Sequence, residues 1–67
     1  MRWMKVIGTQ IEAGMRREVA GVCQVVTRVE PKTHPATGAR YAVVEYESGH
    51  REECWDGTTY MVACTEA

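Results

Sequence analysis

The segment from Val19 to Val29 limits most strongly what this chain can fold into. Its eleven residues, VAGVCQVVTRV, are dominated by β-branched side chains, and the run is too short for a stable lone helix. A second strand-forming run, 40–47, ends at Ser48-Gly49, a glycine-containing pair typical of a tight hairpin turn, and 50–55 follows as its partner strand. The sequence therefore predicts a mostly β protein built from short antiparallel strands.

Side-chain alternation along these two runs predicts which faces are buried. In a strand, successive side chains point to opposite faces, so 40–47 places Ala42, Val44 and Tyr46 together on an apolar face. In 19–29 both faces are partly apolar, because Val22 and Val26 share the even-numbered face with polar neighbours. We expect that second face to be covered by a terminus, a helix or another subunit.

Residues 9–20 allow two interpretations. Thr9 and Glu12 form an S/T-x-x-E capping box that would open one short helix near 10–20. Alternatively Gly8 is a bulge and Ala13-Gly14 a turn, so that this stretch is strand and loop. Gly14 costs the helix about 1 kcal/mol relative to alanine. The strand-and-loop interpretation is favoured.

The remaining segments complete a small barrel-like pattern. Residues 30–39, EPKTHPATGA, are predicted as a loop, Asp56-Gly57 as a turn and 58–64 as a last short strand. The chain resembles the SH3-like and Tudor-like small barrels over roughly residues 19–62. The resemblance rests on the run 21–26, the polar loop, the run 41–46 and the glycine-turn hairpin that follows it. This resemblance implies a partly open antiparallel barrel of four to five strands, and residues 1–67 are predicted to form one domain.

The short chain length makes oligomerisation an expected source of stability. A chain of 67 residues buries only about 60% of the surface that its unfolded form exposes. No apolar run approaches the roughly 20 residues of a spanning helix, and the start lacks a signal-peptide core, so a cytoplasmic location without membrane contact is expected. Cys23, Cys54 and Cys64 lack the spacing of a disulfide framework and are expected to be reduced.

Charge is distributed unevenly along a chain whose net charge is −1. Residues 1–40 hold seven bases and three acids, whereas 41–67 hold one base and six acids. Strand pairing between the halves would turn this asymmetry into cross-strand ion pairs. Alternatively, basic and acidic patches meet on a partner or between subunits. The candidate charged contacts are Arg16, Arg17, Arg28, Arg40, Glu45, Glu47, Glu52 and Glu53.

Catalysis, metal binding and cofactor binding are not expected. Only His50 and Cys54 have a locally plausible metal-ligand spacing, and along a strand they lie about 13 Å apart. The same two residues, with Glu52 or Glu53, form the only nearby set for nucleophilic chemistry, and so small a sheet offers little concavity. No catalytic, metal or cofactor-binding residue is therefore assigned.

The leading hypothesis is a non-catalytic interaction module that binds protein and self-associates. It is motivated by large apolar groups that so short a chain cannot all bury. The candidate interface residues are Trp3, Val22, Val26, Tyr41, Trp55 and Met61.

Two alternative functions remain open. The first is a nucleic-acid-binding barrel, in which one edge would be lined by Arg16, Arg17, Arg28, Lys32 and Arg40, and bases would stack on Trp3, Tyr41 or Tyr46. A pI near 6.1 argues against it, because the attraction of the chain for a phosphate backbone is then weak. In an inhibitor or adaptor encoded by a phage or mobile element, the acidic hairpin 45–56 would contact a host protein.

Overall fold

The protein is mostly β, as predicted, but it has six strands rather than four or five. The computed structural model describes residues 2–64. Its strands are β1 (Arg2–Ile7), β2 (Arg16–Val19), β3 (Val22–Thr33), β4 (Arg40–Tyr46), β5 (Arg51–Trp55) and β6 (Thr59–Cys64). They form one antiparallel sheet in the order β1-β6-β2-β3-β4-β5, which leaves β1 and β5 as edge strands.

The short helix considered near residues 10–20 is not formed. Within residues 2–64 the only helical element is a 3-10 turn, Gly8–Gln10, and the chain then continues through a loop into β2. The strand-and-loop interpretation is thus confirmed for the turn at Ala13-Gly14 and the strand that follows it, whereas Gly8 begins the 3-10 turn rather than forming a bulge. Ile11 is buried in the core at 2% exposure, which anchors this loop by tertiary packing rather than by helical hydrogen bonds.

No helix within 2–64 meets the length and apolarity that a membrane crossing demands.

A tight turn interrupts the segment that the sequence predicts as one strand over 19–29. Ala20 and Gly21 have φ angles of 52° and 80°, and they join Val19 to its register partner Val22. Positive φ at both central residues is the geometry of a type I′ hairpin, whose twist matches that of the flanking strands. The predicted strand is therefore the end of one strand, a turn and the start of another.

A β-bulge in β3 explains why its valines do not alternate as expected. The register with β4 shifts between Val26 and Arg28, so Thr27 is an extra residue. Val26 is buried at 1% exposure, and Val29, three residues later, also packs against the core. Val22 remains 59% exposed at the hairpin tip.

Strand β3 also extends into the predicted loop. Pro31 pairs in register with Ala42, and Thr33 with Arg40, so the connection between β3 and β4 is only 34–39. The strand thereby reaches twelve residues. Its first part pairs with β2 and its second part with β4, so β3 links the two halves of the sheet.

The core lies between those halves. The face predicted from alternation in β4 is confirmed, since Ala42, Val44 and Tyr46 are each at most 1% exposed. Val62 from β6 belongs to the same cluster, against which Val6 from β1 packs. The sheet therefore curls so that β1 and β6 face β4 and β5 across a common interior.

The 3-10 turn fills the space between the two edge strands. Gly8 is buried, and a Cβ built on it would lie 2.3 Å from the carbonyl carbon and oxygen of Cys54. Only a glycine permits this approach of backbone to backbone. The contact brings the end of β1 against β5 although the two strands are not neighbours in the sheet.

Candidate functional site

The main concentration of reactive side chains is an interior polar cluster formed by Arg17, Tyr46, Glu52, Cys54 and Tyr60. Arg17 Nη1 donates to Tyr46 Oη at 2.8 Å and forms an ion pair with Glu52. The Tyr46 hydroxyl donates to Glu52 Oε1 at 2.9 Å, and the Arg17 guanidinium lies 4.8 Å from the centroid of the Tyr60 ring. Arg17 thus connects β2 with side chains of three other strands.

This cluster places Arg17 and Glu52 inside the fold, which corrects their prediction as surface contacts. Their side chains are only 12% and 31% exposed. Glu52 pairs in register with Val44, whose side chain faces the core, so the carboxylate points inward too. The pair joins the basic and acidic halves of the chain, but β2 and β5 are not neighbours in the sheet, so it is not the cross-strand ion pair that the charge asymmetry predicts. Tyr46 is likewise enclosed and presents no ring to a nucleic-acid base.

The acid–base properties of the cluster do not favour nucleophilic chemistry. Burial raises the pKa of the Cys54 thiol, and the charge of Arg17 only partly opposes this effect. The thiol is fully buried and 3.5 Å from Glu52 Oε1, where a thiolate would be repelled. His50 lies beside Tyr46, with ring centroids 5.9 Å apart, rather than on Cys54. The cluster therefore acts as a polar cross-link.

Alkaline pH is expected to weaken the fold through this cluster. Burial raises the pKa of Tyr46 from 10.0 to about 12. Between those values the folded protein keeps a proton that the unfolded chain releases, so the free energy of unfolding falls as pH rises through this window. The expected loss is about 2–3 kcal/mol, to be measured by urea denaturation from pH 8 to 12. The raised pKa of Cys54 acts in the same direction.

The control for this pH effect is Tyr46→Phe. This variant is less stable at pH 8, because Arg17 and Glu52 lose the hydroxyl, but its stability falls less steeply above pH 10. An equally steep fall in Tyr46→Phe would contradict the assignment to Tyr46.

Three of the predicted interface residues are exposed and one is not. Trp3, Met61 and Val22 are 42%, 47% and 59% exposed, respectively. Val26 belongs to the core, because the bulge at Thr27 leaves its side chain facing inward, so it cannot form part of a surface. This position corrects the prediction.

The other two, Tyr41 and Trp55, lie at the end of the sheet opposite the β4–β5 turn. They are half-buried register partners whose rings stack with centroids 4.4 Å apart. His34 is 6.2 Å from Trp55, measured between ring centroids. We call these three residues the aromatic stack.

The remaining charged candidates are exposed or half-buried. Arg28, Arg40, Glu47 and Glu53 are exposed, and Arg16 is half-buried beside Ala63. Glu45 pairs in register with both Arg28 and Arg51 and lies 3.8 Å from the guanidinium of Arg51. Since Glu45 and Glu52 are engaged within the molecule, the 45–56 hairpin presents less acidic charge than its sequence indicates.

A surface that the sequence did not single out as a unit lies along β1. Trp3 and Lys5 pair in register with Ala63 and Met61 of β6, so these side chains share one face of the β1–β6 pair. Met4, on the other face, is 42% exposed. We call β1 together with Met61 the β1 edge surface.

No metal centre is found in the described part of the chain. Residues 2–64 hold no group of three or more His, Cys, Asp or Glu side chains able to bind an ion.

Comparisons with protein-family models, with curated proteins and with solved structures give no match to this chain.

Proposed function

We propose that this protein is a non-catalytic interaction module that self-associates through the β1 edge surface. The observation that carries this proposal is that β1 is an edge strand with exposed large apolar side chains on both faces, Trp3 on one and Met4 on the other. An edge strand presents unpaired backbone donors and acceptors, to which another chain adds a strand. Met61 enlarges the apolar area beside it.

The backbone of β1 indicates which amides are free to pair. The Ile7 amide donates to the Gln10 side chain at 3.1 Å, so it points away from β6. In an antiparallel ladder the direction alternates with every residue. The amides of Trp3 and Lys5 therefore point away from β6 as well, toward a second copy.

Charge and register together favour one antiparallel pairing of β1 with itself. When Met4 lies opposite Met4 of the second copy, Trp3 lies opposite Lys5 and five residues of each strand pair. Lysine beside the indole ring adds a cation–π contact of about 0.5–1 kcal/mol. If the second β1 strand is moved along the first in one direction, Lys5 lies opposite Lys5 and the like charges repel. If it is moved in the other direction, only residues 2–4 of the described chain remain paired.

This pairing closes at a dimer. It uses the same strand of both copies about a two-fold axis, so no further β1 edge is left. The other edge strand, β5, is in contact with Gly8 of the 3-10 turn at Cys54. The proposed assembly is therefore a symmetric dimer rather than a filament.

The finer architecture that we propose is an SH3-like small barrel with an open seam between β1 and β5. Its support is the succession of hairpins from β2 to β5 and the packing of Gly8 on Cys54. Nuclear Overhauser contacts between the Gly8 and Cys54 backbones would test it, and their absence would contradict it. A cytoplasmic location is part of the same proposal, with free cysteines as its support.

Self-association is tested by removing one outward amide. Lys5→Pro deletes the N–H that points to the second copy, and proline is tolerated on a free strand edge. We expect the unchanged protein to be a dimer at about 100 µM in sedimentation equilibrium, and Lys5→Pro to dimerise about 100-fold more weakly.

Lys5→Ala is the matched control, because it loses the charge but keeps the amide. We expect it to stay dimeric, with an affinity within about tenfold of the original. A monomer at about 500 µM for the unchanged protein, or equal dimerisation of Lys5→Pro and Lys5→Ala, would refute the β1 edge surface as the interface.

A further inference from the structure

Three sulfur-containing side chains lie together at one end of the sheet, where β1, β6 and β2 meet. Cys64 ends β6, and its Sγ lies 3.9 Å from Sδ of Met4 in β1. Met15 directly precedes β2 and lines a cavity together with Cys64. We call Met4, Met15 and Cys64 the sulfur cluster.

The register of β1 with β6 places Met4 and Cys64 on the inner face of the sheet. Met4 pairs with Val62, which is fully buried in the core. Cys64 follows Val62 by two residues, so its side chain lies on the same face. The 3.9 Å contact between the two sulfurs therefore follows from the strand pairing and from the length of the methionine side chain.

Met15 reaches the same face from the other side of β6. Its carbonyl accepts from the amide of Val26, a core residue, at 2.8 Å, and its own side chain packs against the core. Arg16 pairs with Ala63, so the next residues along the two strands, Met15 and Cys64, lie opposite each other. Cys64 is thus flanked by one methionine on each side.

The cavity beside these side chains has the size and charge for a small cation. Its volume of about 230 Å³ is below the range of small-molecule sites. Its lining residues are Glu12, Ala13, Gly14, Met15 and Cys64, of which Glu12 alone is charged. The Glu12 amide donates to Met15 Sδ at 3.3 Å, which holds the thioether in place beside the cavity.

From this arrangement we infer that the sulfur cluster binds one Cu(I) ion, through the Cys64 thiolate and the thioethers of Met4 and Met15. Thiolate and thioether ligands select soft ions such as Cu(I). Metal–sulfur bonds are about 2.3 Å long, so two sulfurs bound to one ion at a trigonal angle lie about 4 Å apart. The 3.9 Å between Cys64 and Met4 matches this spacing. Binding replaces the thiol proton of Cys64, which passes to solvent.

The site differs from the metal site that the sequence suggested. Sequence spacing pointed only to His50 and Cys54 on one strand, whereas the sulfur cluster joins three separate segments. Residues 2–64 lack the His, Cys, Asp and Glu groups that bind harder ions, but that ligand set does not include methionine. All three ligands come from one chain, so the inference goes beyond self-association and needs no second copy.

The test is calorimetric titration with Cu(I), supplied without oxygen as its weak acetonitrile complex. Cys23 is an exposed thiol able to bind the ion by itself, so every protein in the test carries Cys23→Ser. We expect one Cu(I) per chain with a dissociation constant of about 1 µM or lower. Zn(II) is expected to bind at least about 100-fold more weakly.

Methionine variants identify the ligands. Met4→Leu and Met15→Leu keep the volume and the apolar character of the side chain, and each is expected to weaken Cu(I) binding at least about tenfold. Cys64→Ser is expected to weaken it at least about 100-fold. Met61→Leu is the matched control, because Met61 is exposed on the other face of the β1–β6 pair, and it leaves the affinity unchanged.

A measurement without ligand variants gives the same assignment. Ag(I) is a soft ion of the same charge that does not change its oxidation state. In protein labelled with carbon-13 at the methionine methyl groups, we expect Ag(I) to shift the resonances of Met4 and Met15 and to leave that of Met61 in place.

Four results would overturn the inference. The first is no saturable heat with Cu(I) up to about 100 µM. The second is an unchanged affinity in Met4→Leu or in Met15→Leu. The third is Zn(II) binding as tight as Cu(I) binding. The fourth is one ion per two chains, which would place the ion between copies. Failure to dimerise bears only on the proposed function, because the three ligands belong to one chain.

Discussion

Gly8→Ala is expected to remove most of the stability of the fold. The added Cβ would lie 2.3 Å from the carbonyl group of Cys54 and 2.5 Å from the amide nitrogen of Trp55. These are backbone atoms of β5, so no side-chain rotation relieves the clash, and β5 must move away from the 3-10 turn. Overpacking of this kind costs about 3 kcal/mol. A domain of this size commonly has only about 3–5 kcal/mol of stability in total.

Gly57→Ala provides the matched control. A Cβ on Gly57 meets nothing within 4 Å, and its backbone needs no positive φ. We expect its free energy of unfolding to stay within about 0.5 kcal/mol of the original value. Urea denaturation followed by circular dichroism measures both variants. A loss below about 1 kcal/mol in Gly8→Ala would show that the contact of the 3-10 turn with β5 is not tight.

Arg17→Met is expected to be the second most destabilising change, at about 2–3 kcal/mol. It removes the only positive charge in the interior polar cluster and leaves the Glu52 carboxylate, 31% exposed, without its ion-pair partner. Breaking a buried ion pair from one side costs about 3–5 kcal/mol, and the partial exposure of Glu52 reduces that value. Thermal and urea denaturation would measure the loss.

Two further variants identify the cause of that loss. Arg51→Met removes a guanidinium from an exposed pair with Glu45 at 3.8 Å and is expected to cost less than about 0.5 kcal/mol. The double variant Arg17→Met with Glu52→Met leaves no lone charge and is expected to recover about half of the stability lost in the single variant. If Arg17→Met costs no more than Arg51→Met, the cluster does not stabilise the fold.

Local sequence signals predicted the second half of the fold well. The alternation of Ala42, Val44 and Tyr46 identified the buried face of β4, and Ser48-Gly49 marked the turn that follows it. Both signals depend only on residues that are close together in the sequence. The first half was predicted less well, because the turn at Ala20-Gly21 uses an alanine with positive φ and the bulge at Thr27 has no signature in the sequence.

The candidate site and the β1 edge surface were predicted only in part, since they depend on contacts between distant residues. Arg17 lies in β2 and reaches Glu52 in β5, a pairing that no local spacing indicates. Trp3 and Met61 were identified from size and hydrophobicity, but their proximity depends on the pairing of β1 with β6. Thr9, in the 3-10 turn, lines one groove with Thr33 and Arg40 from the ends of β3 and β4, a proximity that no local sequence pattern indicates.

The pairing of β1 with β6 also has a kinetic consequence. Strands β2 to β5 are joined by successive hairpins, whereas β1 pairs with β6 across nearly the whole chain, from Arg2 to Cys64. Closing so long a loop costs entropy before any contact repays it, so we expect β1 to dock after the transition state for folding. The loss in Gly8→Ala should therefore appear as faster unfolding at an almost unchanged folding rate in stopped-flow measurements. Although β1 precedes β2 to β5 in the chain, we expect it to complete its pairing after them.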